Sequence, residues 1–186
     1  FCELDRFCWI SPARVGNSLH EVMKMSERVW NVYLSGEIHS DWREQIANGV
    51  RDAGLPVRLD APVCVHENSD DCGVAVLGAE KDSFWHDHKG AQMNAIRTRT
   101  LIANADIVVV RFGDKYRQWN AAFDAGNAAA LGKPLVTLHD ASTNHALKEV
   151  DAAALAVCAT PGQVVETLSY VINGTLSGRA STLAAE

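Results

Sequence analysis

Asp124 has the setting that most suggests chemistry. It stands in "WNAAFDAGNAAALGKP", residues 119–134, flanked by Ala121, Ala122, Ala125 and Gly126. An acidic side chain about one turn into a helix is favoured by the helix dipole by up to about 1 kcal/mol, so dipole compensation alone accounts for a carboxylate here. The small neighbours support a second reading, in which bulk has been removed to leave room for a ligand.

Other candidates cluster where strands end. In open parallel sheets the ligand crevice forms at the carboxyl ends of the strands, where strand order reverses. Those ends carry Ser35, Gly36, Glu37 and His39; Cys64, His66, Asp70 and Asp71; Asp114, Tyr116, Gln118, Trp119 and Asn120; and His139 and Asp140. The loop "YLSGEIHSDW" has small residues for close backbone approach and leads into a helix start suited to a phosphate or sugar hydroxyl, although one glycine before a helix also makes a plain turn. Glu37 reads as a general acid, a contact to a sugar hydroxyl, or a surface-loop residue. Trp119 could stack on a base and Gln118 and Asn120 hydrogen-bond it, while Arg97, Arg99, Arg111, Lys115 and Arg117 either suit a phosphorylated substrate or form a solvated face. His86 and His88 would share a face on a strand but diverge on a helix, so no metal is expected. Asp70, Asp71 and Cys72 near His66 read as a capped loop.

The elements that must position these groups follow from periodicity. "VWNVYLS" from Val29 is a strand ending at Gly36, and a helix capped by Ser40 or Asp41 runs to about Ala53 and closes at Gly54. "LPVRLDAPV" is a second strand, and "HENSDDCG" a polar loop. A helix spans roughly 92–104, with Met93, Ile96, Thr100 and Leu101 on one face, and 78–89 extends it less clearly. "ADIVVVRF" is a strand buried on both faces, followed by a helix over 120–131, the strand "KPLVTLHD", the strand "LAVCAT" and a helix opened by Pro161 that runs to about Ile172. This alternation predicts an α/β three-layer sandwich: a central parallel sheet of about five strands with helices on both faces, flavodoxin- or Rossmann-like. Residues 1–24 read as an accessory or introduced extension, 25–174 as a single domain and 175–186 as a frayed tail.

Three stretches resemble the YtoQ family: "VYLSGEIHSDWR", the run from "HKGAQMNAIRTRT" to "GKPLVTLHD", and "HALKEVDAAALAVCATPGQVVETLSYVI". That family is in turn similar to the nucleoside 2-deoxyribosyltransferases, whose pattern is a first strand ending in Tyr and small residues, a D-[IV]-[VIM]-[VL] strand, an E-L-G helix motif and a G-K-P strand start. The corresponding pieces are Tyr33 to Gly36, Asp106 to Val109, Asp124 to Gly126 and Gly132 to Pro134. The resemblance implies a nucleoside deoxyribosyltransferase-like fold without cofactor, Asp124 as nucleophile and Tyr33 as its hydrogen-bonding partner. Glu37 would contact sugar or proton; Ser35, Gly36, Asp114, Gln118, Trp119, Asn120 and Arg97 would bind substrate. It also implies a homodimer or larger assembly, with His139, Asp140, Asn144 and His145 able to reach a neighbour's pocket. The chain departs from the pattern in having Asp for Glu, and Gln118 and Thr98 where the wider family carries base-contacting carboxylates.

Composition bounds the partners. A net charge of -6 argues against a nucleic-acid polymer, and no apolar run is long enough to span a bilayer. The five cysteines, with no C-x-x-C, read as reduced cytoplasmic thiols. The expected activity is an N-glycosidase or deoxyribosyl transfer on a small nucleoside or nucleotide. The rival is a non-catalytic nucleotide-binding protein of the same fold.

Overall fold

The computed structural model describes residues 28–114 and 118–176. The elements run β1 (Trp30–Gly36), α1 (Trp42–Asp52), β2 (Val57–Asp60), α2 (His66–Asp70), α3 (Cys72–Leu77), α4 (Ser83–Asn104), β3 (Ile107–Phe112), α5 (Trp119–Ala130), β4 (Leu135–His139), a 3-10 turn (Ala141–Thr143), α6 (Asn144–Ala152), β5 (Ala156–Cys158) and α7 (Pro161–Asn173). The sheet is five-stranded with order β2-β1-β3-β4-β5, and every pairing is parallel. Order therefore reverses between β1 and β3, where Ser35 lies opposite Val110 and Gly36 opposite Arg111.

The three central strands, β1, β3 and β4, are buried on both faces, which is why their sequences read as largely apolar runs, while the edge strands β2 and β5 are only partly covered. Val32, Leu34, Ile107, Val109, Val136 and Leu138 face a layer made by Trp42, Ile46 and Val50 of α1 and Val164, Leu168 and Ile172 of α7. Each of these helices repeats its buried residues every four positions. Tyr33, Val108, Val110 and Leu135 face the opposite layer, where Ile102 of α4 and Ala121, Ala125 and Ala128 of α5 pack. Burying one such large apolar side chain stabilises the fold by roughly 1.5–3 kcal/mol.

The pattern's Asp106 and Lys133 hold the amino end of the sheet, opposite the strand ends that carry the candidates. The Asp106 carboxylate accepts from the Asn31 N–H at 2.8 Å and pairs with Arg28, and Lys133 Nζ donates to Ala105 O at 2.9 Å, just past the end of α4. Asp106→Ala leaves the Asn31 N–H without its acceptor and should cost about 1–3 kcal/mol in chemical denaturation. Ligand affinity in the same variant should be unaltered; a large change in affinity would place Asp106 in the site.

Three expectations need correction. "HENSDDCG" is not a loop: α2 and α3 occupy residues 66–70 and 72–77, because Gly73 and Gly90 let α3 and α4 touch backbone to backbone, and that packing outweighs the turn preferences of Asn, Ser and Asp. The helix expected over 92–104 begins at Ser83, capped by Asp82, whose side chain accepts from Phe84 N. Its supposed apolar face is not the packed one: Ile96 is 71% exposed, and the helix buries Gly90 and Ile102 instead. The expected 1–24 extension and most of the 175–186 tail lie outside the described residues.

Candidate active site

A hollow of about 740 Å³ opens at the β1–β3 switch point. Its floor is the end of β1 and the loop after it, Ser35 to His39; one wall is α4 from Asp87 to Arg99 with Ser69 and Asp70 of α2 leaning over it; the other is the start of α5 from Gln118 to Asp124. Asn94 Nδ2 donates to Ser69 O at 2.8 Å and fixes α2 against α4. Arg97 donates to Ala61 O at 3.2 Å, tying α4 to the segment after β2.

Asp124 projects into this hollow and accepts a 2.5 Å hydrogen bond from Ser35 Oγ. Burial pushes its carboxyl up from the ordinary value, and the Ser35 hydroxyl opposes that shift. The partner expected for Asp124 was Tyr33, and here the structure differs. Tyr33 and Ser35 stand two apart on β1 and share a face, but Ser35 is nearer the strand end, level with the short aspartate. Tyr33 is fully buried and its hydroxyl makes no hydrogen bond of normal geometry. Burial pushes it up to about 12, the Thr98 hydroxyl pulls the other way, and the Asp124 charge raises it further. Tyr33 thus lies within the field of Asp124 without holding it.

The small residues around Asp124 also have a different use. Ala121 and Ala125 are buried and let α5 approach the sheet closely; a Cβ on Gly126 would meet open space. Close helix–sheet packing explains two of them, and Gly126 is solvent-facing.

Glu37 does not sit as a general acid. Its side chain is nearly buried, its carboxylate accepts from the His39 N–H and, at 2.5 Å, from the Ser40 hydroxyl. Burial pushes its carboxyl up, but these donors and the nearby His39 outweigh burial and hold it below the ordinary carboxylate value. Ser35 and Gly36, expected to cradle a phosphate, are otherwise engaged. Ser35 is committed to Asp124, and Gly36, at φ 102°, is small because a Cβ there would lie 2.1 Å from Arg111 O. Asp41 and Trp42, where α1 begins, do not line the hollow.

Of the residues expected to bind substrate, Gln118, Trp119, Asn120 and Arg97 line the hollow; Asp114 does not, and lies exposed beyond β3. Gln118 has φ 44°, the only positive φ outside glycine among the described residues, at the N-cap of α5. Of the basic residues read together, Arg97 and Arg99 line the hollow, Arg111 does not, and Lys115 and Arg117 lie outside the described residues, as does Tyr116. His139 is buried against Asp151, with Nε2 3.1 Å from its carboxylate oxygens, so it is not available to a neighbour's pocket. His86 and His88 are on α4 and diverge; His86 pairs with Asp71 and Asp87, and His88 stacks on Phe84. Among the described residues no three His, Cys, Asp or Glu side chains converge as metal ligands, and no helix is long and apolar enough to cross a membrane.

One positioning residue left no mark in the sequence. Arg43 of α1 donates to Leu34 O at 3.0 Å, Gly36 O at 3.0 Å and Glu37 O at 2.6 Å, and stacks over Trp42, whose indole N–H also reaches Glu37 O. β2 pairs only as far as Tyr33 of β1, so Arg43 satisfies the carbonyls that β2 leaves free.

A five-stranded, doubly wound parallel sheet with a hollow at its switch point defines a Rossmann-like α/β protein. More particularly, the chain belongs to the family described as Nucleoside 2-deoxyribosyltransferase YtoQ, whose sequence profile matches residues 33–172. It is 40% identical over 140 residues to "Uncharacterized protein YtoQ" of Bacillus subtilis (strain 168), across 75% of this chain and 95% of that one. A conserved protein from Enterococcus faecalis V583 superposes with a TM-score of 0.55 at 15% identity, over 77% of this chain and 99% of that one, which shows a shared fold. A 2-deoxyribosyltransferase from Bacillus psychrosaccharolyticus gives a TM-score of 0.46 at 18% identity, over 74% of this chain and 95% of that one.

Proposed function

We propose that the protein breaks the N-glycosidic bond of a nucleoside or nucleotide, passing the sugar to water or to a second base. The observation that carries this reading is the Asp124 carboxylate, part-buried in the hollow and bonded to Ser35. Burial that raises its proton affinity also makes the ionised form a better electron-pair donor. Asp124 attacks C1′ as the C1′–N bond breaks; the bonding pair leaves with the base, which takes a proton from solvent, and a glycosyl ester forms on Asp124. Water or another base then attacks C1′, its proton goes to solvent and the carboxylate is restored.

Ser35 holds the attacking oxygen in place, and Gln118, Trp119 and Asn120 line the base side with Arg97 on the α4 wall. Trp119 and Phe123, 71% and 63% exposed, form an aromatic rim that suits stacking and the homodimeric or larger assembly implied by the resemblance. Free thiols at Cys64, Cys72 and Cys158 fit a cytoplasmic setting. The test is incubation with a panel of nucleosides and nucleoside monophosphates, with chromatography for free base. Base should be released from at least one member. If none releases base and none shifts the melting temperature, the reading is wrong.

A further inference from the structure

We propose that the β2 end of the hollow is a binding lobe for an apolar substituent on C5′ of the substrate, so that the favoured ligand is a nucleoside extended there by an alkyl or thioalkyl group. The inference rests on the functional reading above and deepens it.

The hollow reaches across three strand positions. Strand order β2-β1-β3 lays its lining out along the top of the sheet: Gln118, Trp119 and Asn120 follow β3, Ser35 and Asp124 meet over β1, and Pro62 and Val63 follow β2. Neighbouring strands stand about 4.8 Å apart, and a volume of about 740 Å³ holds a nucleoside with room to spare.

The two ends differ in chemistry. On the β3 side the amides of Gln118 and Asn120 can read a base and the Trp119 ring can stack on it. On the β2 side the half-buried side chains of Ile38, Pro62 and Val63, with Ala91 of α4, offer neither donor nor acceptor. The polar groups beside them are already engaged. Ala61 O accepts from Arg97 at 3.2 Å, and Pro62 O accepts from the Cys64 thiol at 3.4 Å. The Glu37 carboxylate accepts from the His39 N–H and the Ser40 hydroxyl, and Asn94 Nδ2 donates to Ser69 O at 2.8 Å. His39, Asp70 and Asp87 are exposed, so they do not set the polarity of the inner wall.

This asymmetry orients the ligand. With the base on the β3 side and C1′ at Asp124, the far side of the furanose, which carries C5′, turns toward β2. A hydroxyl there gives up water for few free partners, whereas an apolar group releases water from Ile38, Pro62 and Val63.

The test measures by calorimetry the 5′-deoxy forms of adenosine, 2′-deoxyadenosine and thymidine, each also with a methylthio, ethylthio or propylthio group at C5′. At least one series should bind the wild type progressively tighter, by roughly fourfold per added methylene. The 2-hydroxyethylthio analogue, as long as the propylthio compound but polar at its tip, should lose most of that gain. In Val63→Asn the increment per methylene should fall toward none. Ala91→Phe, at an exposed helix position, should do the same by filling the lobe and is measured in case Val63→Asn does not fold. A flat series in the wild type, equal binding of the hydroxyethyl and propyl analogues, or an undiminished increment in either folded variant overturns the proposal and leaves the functional reading standing. If no member of any series binds or releases base, the functional reading fails and the lobe falls with it.

Discussion

Asp124→Asn should abolish release of base, a loss on the order of 10³-fold or more in kcat, and at the same time raise the melting temperature at neutral pH. The two effects have one cause. Asn keeps the shape and can still hydrogen-bond Ser35, but it has no electron pair able to form the glycosyl ester. The wild-type carboxylate is desolvated by its place in the hollow, and one hydroxyl only partly offsets that cost. Because its proton affinity is higher folded than unfolded, its contribution to stability is greatest below the ordinary carboxylate range. That contribution is lost as pH rises through the folded value. At neutral pH the charge is a net cost, which Asn removes; solvent screening of the part-exposed group limits the gain to about 1 kcal/mol, roughly 2–4 °C. In acid the two proteins should converge. Melting curves across pH, read beside activity, check both halves. A variant with a tenth of wild-type activity, or one less stable at neutral pH, would remove Asp124 from the role of desolvated nucleophile.

How far this site was legible depends on what each signal measures. The apolar runs of β3 and β4 and the four-residue repeats of α1 and α7 report burial directly, so the sheet and its parallel pairing followed from periodicity, whereas the switch point beside Ser35 depends on strand order, which periodicity does not carry. Asp124 stood out because a carboxylate among alanines is chemically conspicuous. Its partner was not readable, since Tyr33 and Ser35 share a strand face and only the height of α5 above β1 decides between them. The state of Glu37 was unreadable for a related reason: its donors come from a backbone path two and three residues on, which no residue type encodes. α2 and α3 were missed because the Gly73–Gly90 crossing that stabilises them joins residues far apart in sequence. Arg43 was missed because its partners are carbonyls, which every sequence has.

Gly36→Ala should be the most damaging single methyl group in the site region, costing about 3 kcal/mol or more and lowering the melting temperature by roughly 6–12 °C. Two costs coincide at this position. The backbone has φ 102°, which L side chains rarely adopt, and the new Cβ would fall 2.1 Å from Arg111 O, a backbone atom of the neighbouring strand that cannot rotate away. Relief requires β1 and β3 to part at their carboxyl ends. That movement would stretch the 3.1 Å hydrogen bond from Glu37 N to Arg111 O and displace the carbonyls that Arg43 holds. Ser35 is the preceding residue, so its bond to Asp124 would be misplaced as well, and a shift of about 1 Å in a reacting group costs on the order of 10²-fold in rate. Gly126→Ala is the matched control: its Cβ meets nothing within 4 Å on an exposed face of α5, so it should stabilise by about 0.5–1 kcal/mol. If Gly36→Ala melts with the wild type, β1 and β3 do not approach as closely as this geometry requires, and the floor beneath Asp124 is built differently.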